Sequence, residues 1–484
     1  MPFRSGIGGV TYPDATINAR RLGLVPNDKN RAATNHARLQ AALDNHGIGA
    51  HFPAGKWWVD GTITLASGQR HHLRGEGAGA SIIAAATDWA ATPDGAAMVQ
   101  PANPGPDLDL AITDLGFTGP GAGQVWGTAP AKLSGISAGS KMVLTRVTVA
   151  NCWAGFRCIQ DHEQLYHCKF NGNYAGIYFA SSPAQDGGHG FFGGDVSGNT
   201  MASLLVSAGG LIEGCKFVRV HAGFGPYGIL KLEDLADPNR TPTIISKSSF
   251  DVFMFEACGN AAIDTDMPEG LITRTQFTGC THSWSTSRVI AGRAKNVAVR
   301  VGKLDQVTFG PNTLLELPPA DNTPRTIVET IGDLTDVSWQ IRQATLDRAL
   351  SSGVLPLKVG GTIQAGARWS SERQSGVFER ASSAVTRRRF VRTTATGVAP
   401  LTAGAKPTGV AVLNAGAGDV AMVVTAGEVE LRMNTAVTAG DRIGPSGADA
   451  TQGATVAAGT EVAALAITTA AGGADGRVRV TTGG

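Results

Sequence analysis

The chain is poor in charge. Asp, Glu, Lys and Arg make up 17% of its 484 residues, below the roughly 25% of an ordinary globular protein. With 41 basic residues against 39 acidic, the net charge is only +2, which excludes a global field that would draw nucleic acid or an anionic membrane. Long apolar runs are missing too, so no segment is suited to membrane insertion as a helix, and Met1 to Gly9 lacks the apolar stretch of a secretory signal. That start predicts synthesis in the cytoplasm and, for a protein that works outside, release by lysis or in a particle. Cysteines are few, at positions 152, 158, 168, 215, 258 and 280, and no pair has zinc-ligand spacing. They are read as buried structural thiols, with no metal and no cofactor expected. The only basic run, Arg387 to Arg389, is read as a solvated junction between domains.

What the chain does have is glycine, 64 residues of it, and an apolar signature that recurs seven times. The copies are Ile112-Leu115-Phe117, Leu144-Val147-Val149, Leu165-Cys168-Phe170, Ile212-Cys215-Phe217, Ile245-Ser248-Phe250, Ile272-Thr275-Phe277 and Leu304-Val307-Phe309. Self-similarity at intervals of roughly two to three dozen residues marks a solenoid whose coils bury one another's inward side chains. The last two positions of each copy are two apart and so share one side of an extended strand. Asn and Gly follow the strands, as in Asn171-Gly172-Asn173 and Gly198-Asn199, where left-handed backbone allows a sharp corner. The wide gap between the third and fourth copies fits two coils with a degenerate copy near Gly188 to Val196. These features predict an all-β chain: a right-handed parallel β-helix with an N-terminal helical cap, followed by a small C-terminal β-barrel or β-sandwich.

Two stretches carry family resemblance. A short helix between Asn30 and Leu43 precedes three strand-like segments, His51 to Val59 (with Pro53, Gly55, Trp57 and Trp58), Gly61 to Leu65 and Leu73 to Ile83 (with Gly75-Glu76-Gly77). Together they resemble the opening of pectate-lyase-like proteins, a superfamily that includes phage tailspikes. The resemblance covers about 17–83, with coil-level similarity to about 312. From Thr393 onward, short alternating strands dominate, among them Gly409 to Val412, Gly418 to Val424, Gly427 to Leu431, Ala436 to Asp441 and Gly476 to Val480. Their order is similar to head-decoration proteins of tailed phages. The expected division is an N-terminal arm (1–16), a capped β-helix (17–312), a transition or trimerisation region (313–392) and a decoration-like domain (393–484).

The chemistry is less specific. A β-helix flank presents parallel rows of side chains to an extended sugar chain, and glycoside hydrolysis needs two carboxyls. The candidates fall in neighbouring coils: Asp161 and Glu163, Asp186 with His189, and, less centrally, Asp195, Asp264 and Asp266, with Arg157 or Arg219 as bases for a lyase. Gly188-His189-Gly190 resembles the Gly-His-Gly of polygalacturonases, without the paired aspartates upstream, and Asp161-His162 is similar to the Asp-His of pectate lyases, without the Trp-Ile before it. These acids can equally cap turns in solvent. Trp153, Tyr166, Tyr174, Tyr178, Phe191 and Phe192 crowd the same coils, and the first four are taken as candidates for glycan binding, with core packing as the other reading. Three functions follow: a homotrimeric virion spike or fibre on capsid or tail that binds host-surface polysaccharide and contacts other virion proteins; a tailspike depolymerase; or a free pectinolytic enzyme. The first is the reading adopted.

Overall fold

The computed structural model describes residues 16–480 except 47–48, 67–69, 91–95, 103–108, 122–131, 138–141, 160–162, 181–187, 266, 286, 292–296, 311–313, 317–325, 341–354, 365–366, 372, 396, 403–404, 440, 447–448, 456–463 and 467. The chain divides into two compact units, one formed by 1–299 and 315–321, the other by 300–314 and 322–484. Among the described residues, no helix is long and apolar enough to cross a membrane.

The first unit is a right-handed parallel β-helix. One face stacks Ile63–Leu65, Ala97–Pro101, Ser134–Ser137, Ala154–Cys158, Ala175–Phe179, Ala202–Val206, Tyr227–Lys231 and Ala261–Thr265 in chain order, each parallel to the next. The other flank begins with Thr16–Asn18, Gly49–Phe52, Arg70–Gly75, Asp109–Thr113, Met142–Thr145 and Gln164–Phe170. Helix Ala32–His46 covers the N-terminal end, preceded by a 3-10 turn whose N-cap Asp28 accepts from the Asn30 N–H at 3.0 Å. Leu39 and Leu43 on that helix are buried, and its fully buried Asn35 accepts from the Val25 N–H (2.8 Å) and donates to the Val25 and Trp58 carbonyls. Trp57 is buried edge-on to Phe52 (5.8 Å), whereas Trp58 is half-buried beneath the Lys56 ammonium (4.2 Å). An apolar cross-section left open would be a sticky end, and this cap closes it.

The seven signature copies are columns of the ladder. Leu144 pairs with Ile112 and Leu165 with Leu144, while Phe250 pairs with Phe217 and Phe277 with Phe250. Stacked rings fill the interior: Phe191 on Phe217 (4.5 Å), Phe217 on Phe250 (4.7 Å) and Phe250 on Phe277 (4.9 Å). In every copy the residue before the middle apolar position lies in the left-handed region: Asp114, Arg146, His167, Gly214, Lys247, Arg274 and Gln306, with φ between 47 and 59°. That corner turns the strand so that positions three apart both face inward. A second corner falls two residues after the last apolar position, at Asn151, Gly172, Arg219, Val252 and Gly279. Inside it, Asn173 and Asn199 form a ladder: the Cys152 N–H donates to Asn173 Oδ1 (2.9 Å) and the Asn173 N–H to Asn199 Oδ1 (2.9 Å). All six cysteines are free and buried.

The degenerate copy changes the register. Strand Gly190–Asp195 pairs Phe191 with Leu165 on one side and with Phe217 on the other, which joins a first-position column to a last-position column. At its far end Asp195 pairs with His221.

In the second unit, parallel pairing runs beyond the expected end at 312. Lys303–Phe309 pairs with Leu334–Thr335 and Ser338–Gln340, Thr326–Thr330 with Leu355–Val359, and Ser338–Gln340 with Arg368–Ser370. The direction then reverses: Gln374–Arg380 runs antiparallel to Arg368–Ser370 and to Val420–Arg432, which pairs in turn with Asp475–Val480. The antiparallel module thus takes in Gln374–Arg380, ahead of the boundary expected at 393. Its core includes Ala381, Val385, Val391, Val398, Ala411, Ala415, Ala421 and Val423. The basic run is no solvated junction, because Arg388 pairs with Glu430 (2.6 Å) and Asp475 (2.5 Å), and Arg389 with Asp449 (3.2 Å), all inside this unit.

Candidate functional site

The site begins where the register changes. Asp195 ends its strand at the second corner, His221 opens His221–Gly223 on the next coil, and Glu256 lies in Met254–Cys258 on the coil after that. All three are partly exposed on one flank of the first unit. His221 Nδ1 lies 3.3 Å from Asp195 Oδ1, and Nε2 lies 2.9 Å from Glu256 Oε2. A carboxylate only accepts, so an imidazole with a carboxylate at each nitrogen is held as the doubly protonated cation. The hydrogen bond with Asp195 raises the His221 pKa against the effect of burial, and Glu256 adds to the rise. For Asp195 itself, burial pushes the carboxyl up, but hydrogen bonds from His221, Ser197 (3.0 Å) and Asn171 (2.8 Å) outweigh it and hold the group well below the usual carboxylate range. Gly223 (φ +134°) lets the coils approach here, because a Cβ would collide with the Glu256 carbonyl oxygen. Phe224 stands edge-on to His221 at 5.7 Å and carries the Arg288 guanidinium over its ring at 5.4 Å.

Next to this row, before the corner, Tyr166 stacks on Phe192 of the following coil at 5.2 Å and 15°. Both rings are partly exposed. They form a flat aromatic platform on the same two strands that carry Lys169 and Asp195.

Of the residues singled out in the sequence, Asp161, Asp186 and Asp266 lie outside the described residues. Glu163 and His189 meet, but in the interior: their side chains are 0% and 1% exposed, with the imidazole Nδ1 against the carboxylate. This burial turns them away from any polymer on the surface. Arg157 is buried and donates to Ser137 Oγ (3.1 Å), Asp264 is buried and accepts from the Thr265 N–H (2.8 Å), and Arg219 forms a corner with φ 55°. The aromatics divide. Trp153 and Tyr178 are buried edge to face (4.6 Å) in a cluster with Leu205, Tyr227 and Leu230, and Tyr174 is half-buried against Trp153. Tyr166 alone of the four stands in a stack whose two rings are both partly exposed. Sequence reasoning missed His221 and Glu256, and it placed Phe192 among the crowding aromatics without taking it as a binding residue. The available signal was the degenerate copy itself, since a break in a repeat marks where the coil departs from its own pattern.

No protein-family profile matches the chain, and no curated protein matches it in sequence. Among solved structures it is similar to the tailspike protein of Dettilon (8% identity, 96% of this chain and 93% of that one, TM-score 0.42). It is also similar to the A-module of the mannuronan C-5 epimerase AlgE4 of Azotobacter vinelandii (13% identity, 73% and 99%, TM-score 0.43). A third similarity is to the N base of the head fiber gp8.5 of bacteriophage phi29 (18% identity, 22% and 93%, TM-score 0.19). None of these likenesses assigns a residue role. Fold and site together define a right-handed β-helix protein with an antiparallel C-terminal module and a polar, partly aromatic flank at a break in its repeat.

Proposed function

We propose that this chain is a surface protein of a tailed phage or phage-like particle, a homotrimeric spike or fibre that binds host-surface polysaccharide along its β-helix flank without cutting it. The observation that carries the binding reading is the Tyr166–Phe192 platform beside the row Asn171, Asp195, His221 and Glu256. A flat aromatic face with polar groups alongside, repeated at the roughly 4.8 Å spacing of adjacent strands, suits an extended sugar chain. Attachment to a particle is supported by the tailspike-like cap and by the decoration-like strands around Gly409–Ala411 and Val420–Arg432.

Hydrolysis is the second reading, favoured by one observation. Asp195 and Glu256 meet opposite nitrogens of the His221 ring, so an imidazole holds their carboxyl groups apart, closer to the roughly 6.5–9.5 Å of an inverting pair than to the roughly 5–5.5 Å of a retaining one. Against it, Asp195 is held well below the usual range and makes a weak general base, and both carboxylates are already bound by one imidazolium.

Two measurements test the proposal. Binding of purified host capsule or cell-wall polysaccharide to the full chain is expected to weaken about tenfold or more, a loss of about 1.4 kcal/mol or more, in Tyr166→Ala with Phe192→Ala, with no release of reducing ends by the wild type. Release that disappears in Asp195→Asn would establish the depolymerase instead. Immunogold microscopy of source particles with an antibody to residues 1–380 is expected to label head or tail, and particles free of gold would remove the virion reading.

A further inference from the structure

The buried pair set aside above has a third member. Cys158 ends strand Ala154–Cys158, Glu163 precedes Gln164–Phe170 and His189 precedes Gly190–Asp195, so the end of one strand and the starts of two others converge at one point inside the solenoid. Their ligand atoms, one from each, all lie within 4.8 Å of one another, and all three residues are buried. The Cys158 sulfur is 3.5 Å from His189 Nε2 and 3.7 Å from Nδ1. Sulfur and nitrogen on a tetrahedral zinc ion, at roughly 2.3 and 2.05 Å from the metal, are separated by about 3.6 Å. The thiol and imidazole therefore already stand at the edge length of such a site, and the Glu163–His189 contact is the one an ion must open.

We propose that Cys158, Glu163 and His189 form an internal site for a zinc-class divalent ion that clips neighbouring coils together. The donor set selects the metal class: thiolate and imidazole suit a borderline ion, whereas calcium and magnesium require oxygen ligands. Charge also favours it. A thiolate and a carboxylate around a divalent cation, with a neutral imidazole, sum to zero, which suits a core where an uncompensated charge is costly. Binding releases the thiol proton to solvent and changes no oxidation state. The short spacing that marks structural zinc sites is absent because the ligands come from different coils, so the solenoid rather than a local loop brings them together.

Cobalt(II) titration of the full chain, stripped of metal by dialysis, is the test. The expected result is saturation at one ion per chain, with a sulfur-to-cobalt charge-transfer band, tetrahedral d–d absorption and a rise in melting temperature; stoichiometric zinc is expected to abolish both absorptions while the melting temperature stays raised. Cys158→Ser is expected to lose the charge-transfer band and to weaken binding at least tenfold, while Cys152→Ser, another buried thiol, keeps both. No band and no thermal shift in the wild type would overturn the site. A band that survives in folded Cys158→Ser would overturn the ligand assignment. The wild-type titration decides even where a variant does not fold.

Discussion

Val252 carries a backbone that its side chain opposes. It stands at the second corner of its coil with φ 53° and is 44% exposed. The equivalent corners elsewhere are Asn151, Gly172, Arg219 and Gly279, none of them β-branched. Left-handed backbone costs an L-residue roughly 1–2 kcal/mol, with Asn bearing it better than a β-branched residue. Val252→Asn is therefore expected to stabilise the protein by about 1 kcal/mol, read as a higher melting temperature or slower unfolding; an unchanged or lower value would show that the corner stores no strain. At His221 the sign runs with pH. Its folded pKa is raised, so its contribution to stability is fully present below its ordinary value of 6.5 and is lost as pH climbs through the raised value. Asp195 is depressed, so its contribution is present above its ordinary value of 3.8 and is lost as pH falls below it. The pair helps most between those two values. Melting temperature followed from pH 5 to 9 is expected to fall on the alkaline side in the wild type and to flatten in His221→Gln. Parallel curves would mean that the contacts do not couple to folding.

At the scale of the element, the ring column sets the strength of the coil. Phe217 is fully buried between Phe191 and Phe250 and meets Phe253 edge-on at 5.6 Å. Truncation there removes two stacking partners at once and leaves a cavity in a solenoid that cannot collapse around it without shifting register. Phe217→Ala is expected to cost about 3–5 kcal/mol, measured by denaturant unfolding, whereas a cost below 1 kcal/mol would mean that the neighbouring rings close the gap. This column was legible in the sequence, because each copy repeats the same inward pair. Its three-residue step was visible too, but the cause, a left-handed residue before the middle position, was not: Asp114, Arg146, His167, Lys247, Arg274 and Gln306 share no side-chain chemistry that announces the conformation. The site was less legible than the fold for a related reason. Asp195, His221 and Glu256 come from separate coils, and Asp195 pairs with His221 only because the degenerate copy moves the register. Glu163 and His189 were found as residues, but spacing along the chain carries no signal of their depth in the solenoid, where both are buried.

At the scale of the whole molecule, the position of the C-terminal boundary decides what can stand alone. An alternating, Gly-rich composition places the domain start near 393, whereas the strands place it before Gln374, and within the second unit the reversal is tightly joined to the last parallel strands. Phe378 lies 6.1 Å from Trp339 of a parallel strand, and Gly376 approaches Trp369 so closely that a Cβ would crowd its ring nitrogen. Arg380 donates to the carbonyls of Val359 and Gly361 on the parallel side and to that of Gly418 on the antiparallel side. Both tryptophans are buried. A fragment of residues 393–484 lacks Gln374–Arg380, one of the strands that pair with Val420–Arg432, and a fragment of 374–484 keeps it but bares Phe378. Exposing a large buried side chain costs roughly 1.5–3 kcal/mol, and the open edge of Gln374–Arg380 adds a template for aggregation. The expected order of melting temperature is therefore full chain above 374–484 above 393–484, with the shortest fragment showing no cooperative transition. If 393–484 melted cooperatively at the temperature of the full chain's second unit, the weld at Trp339, Trp369 and Phe378 would contribute nothing, and the composition boundary would be the physical one.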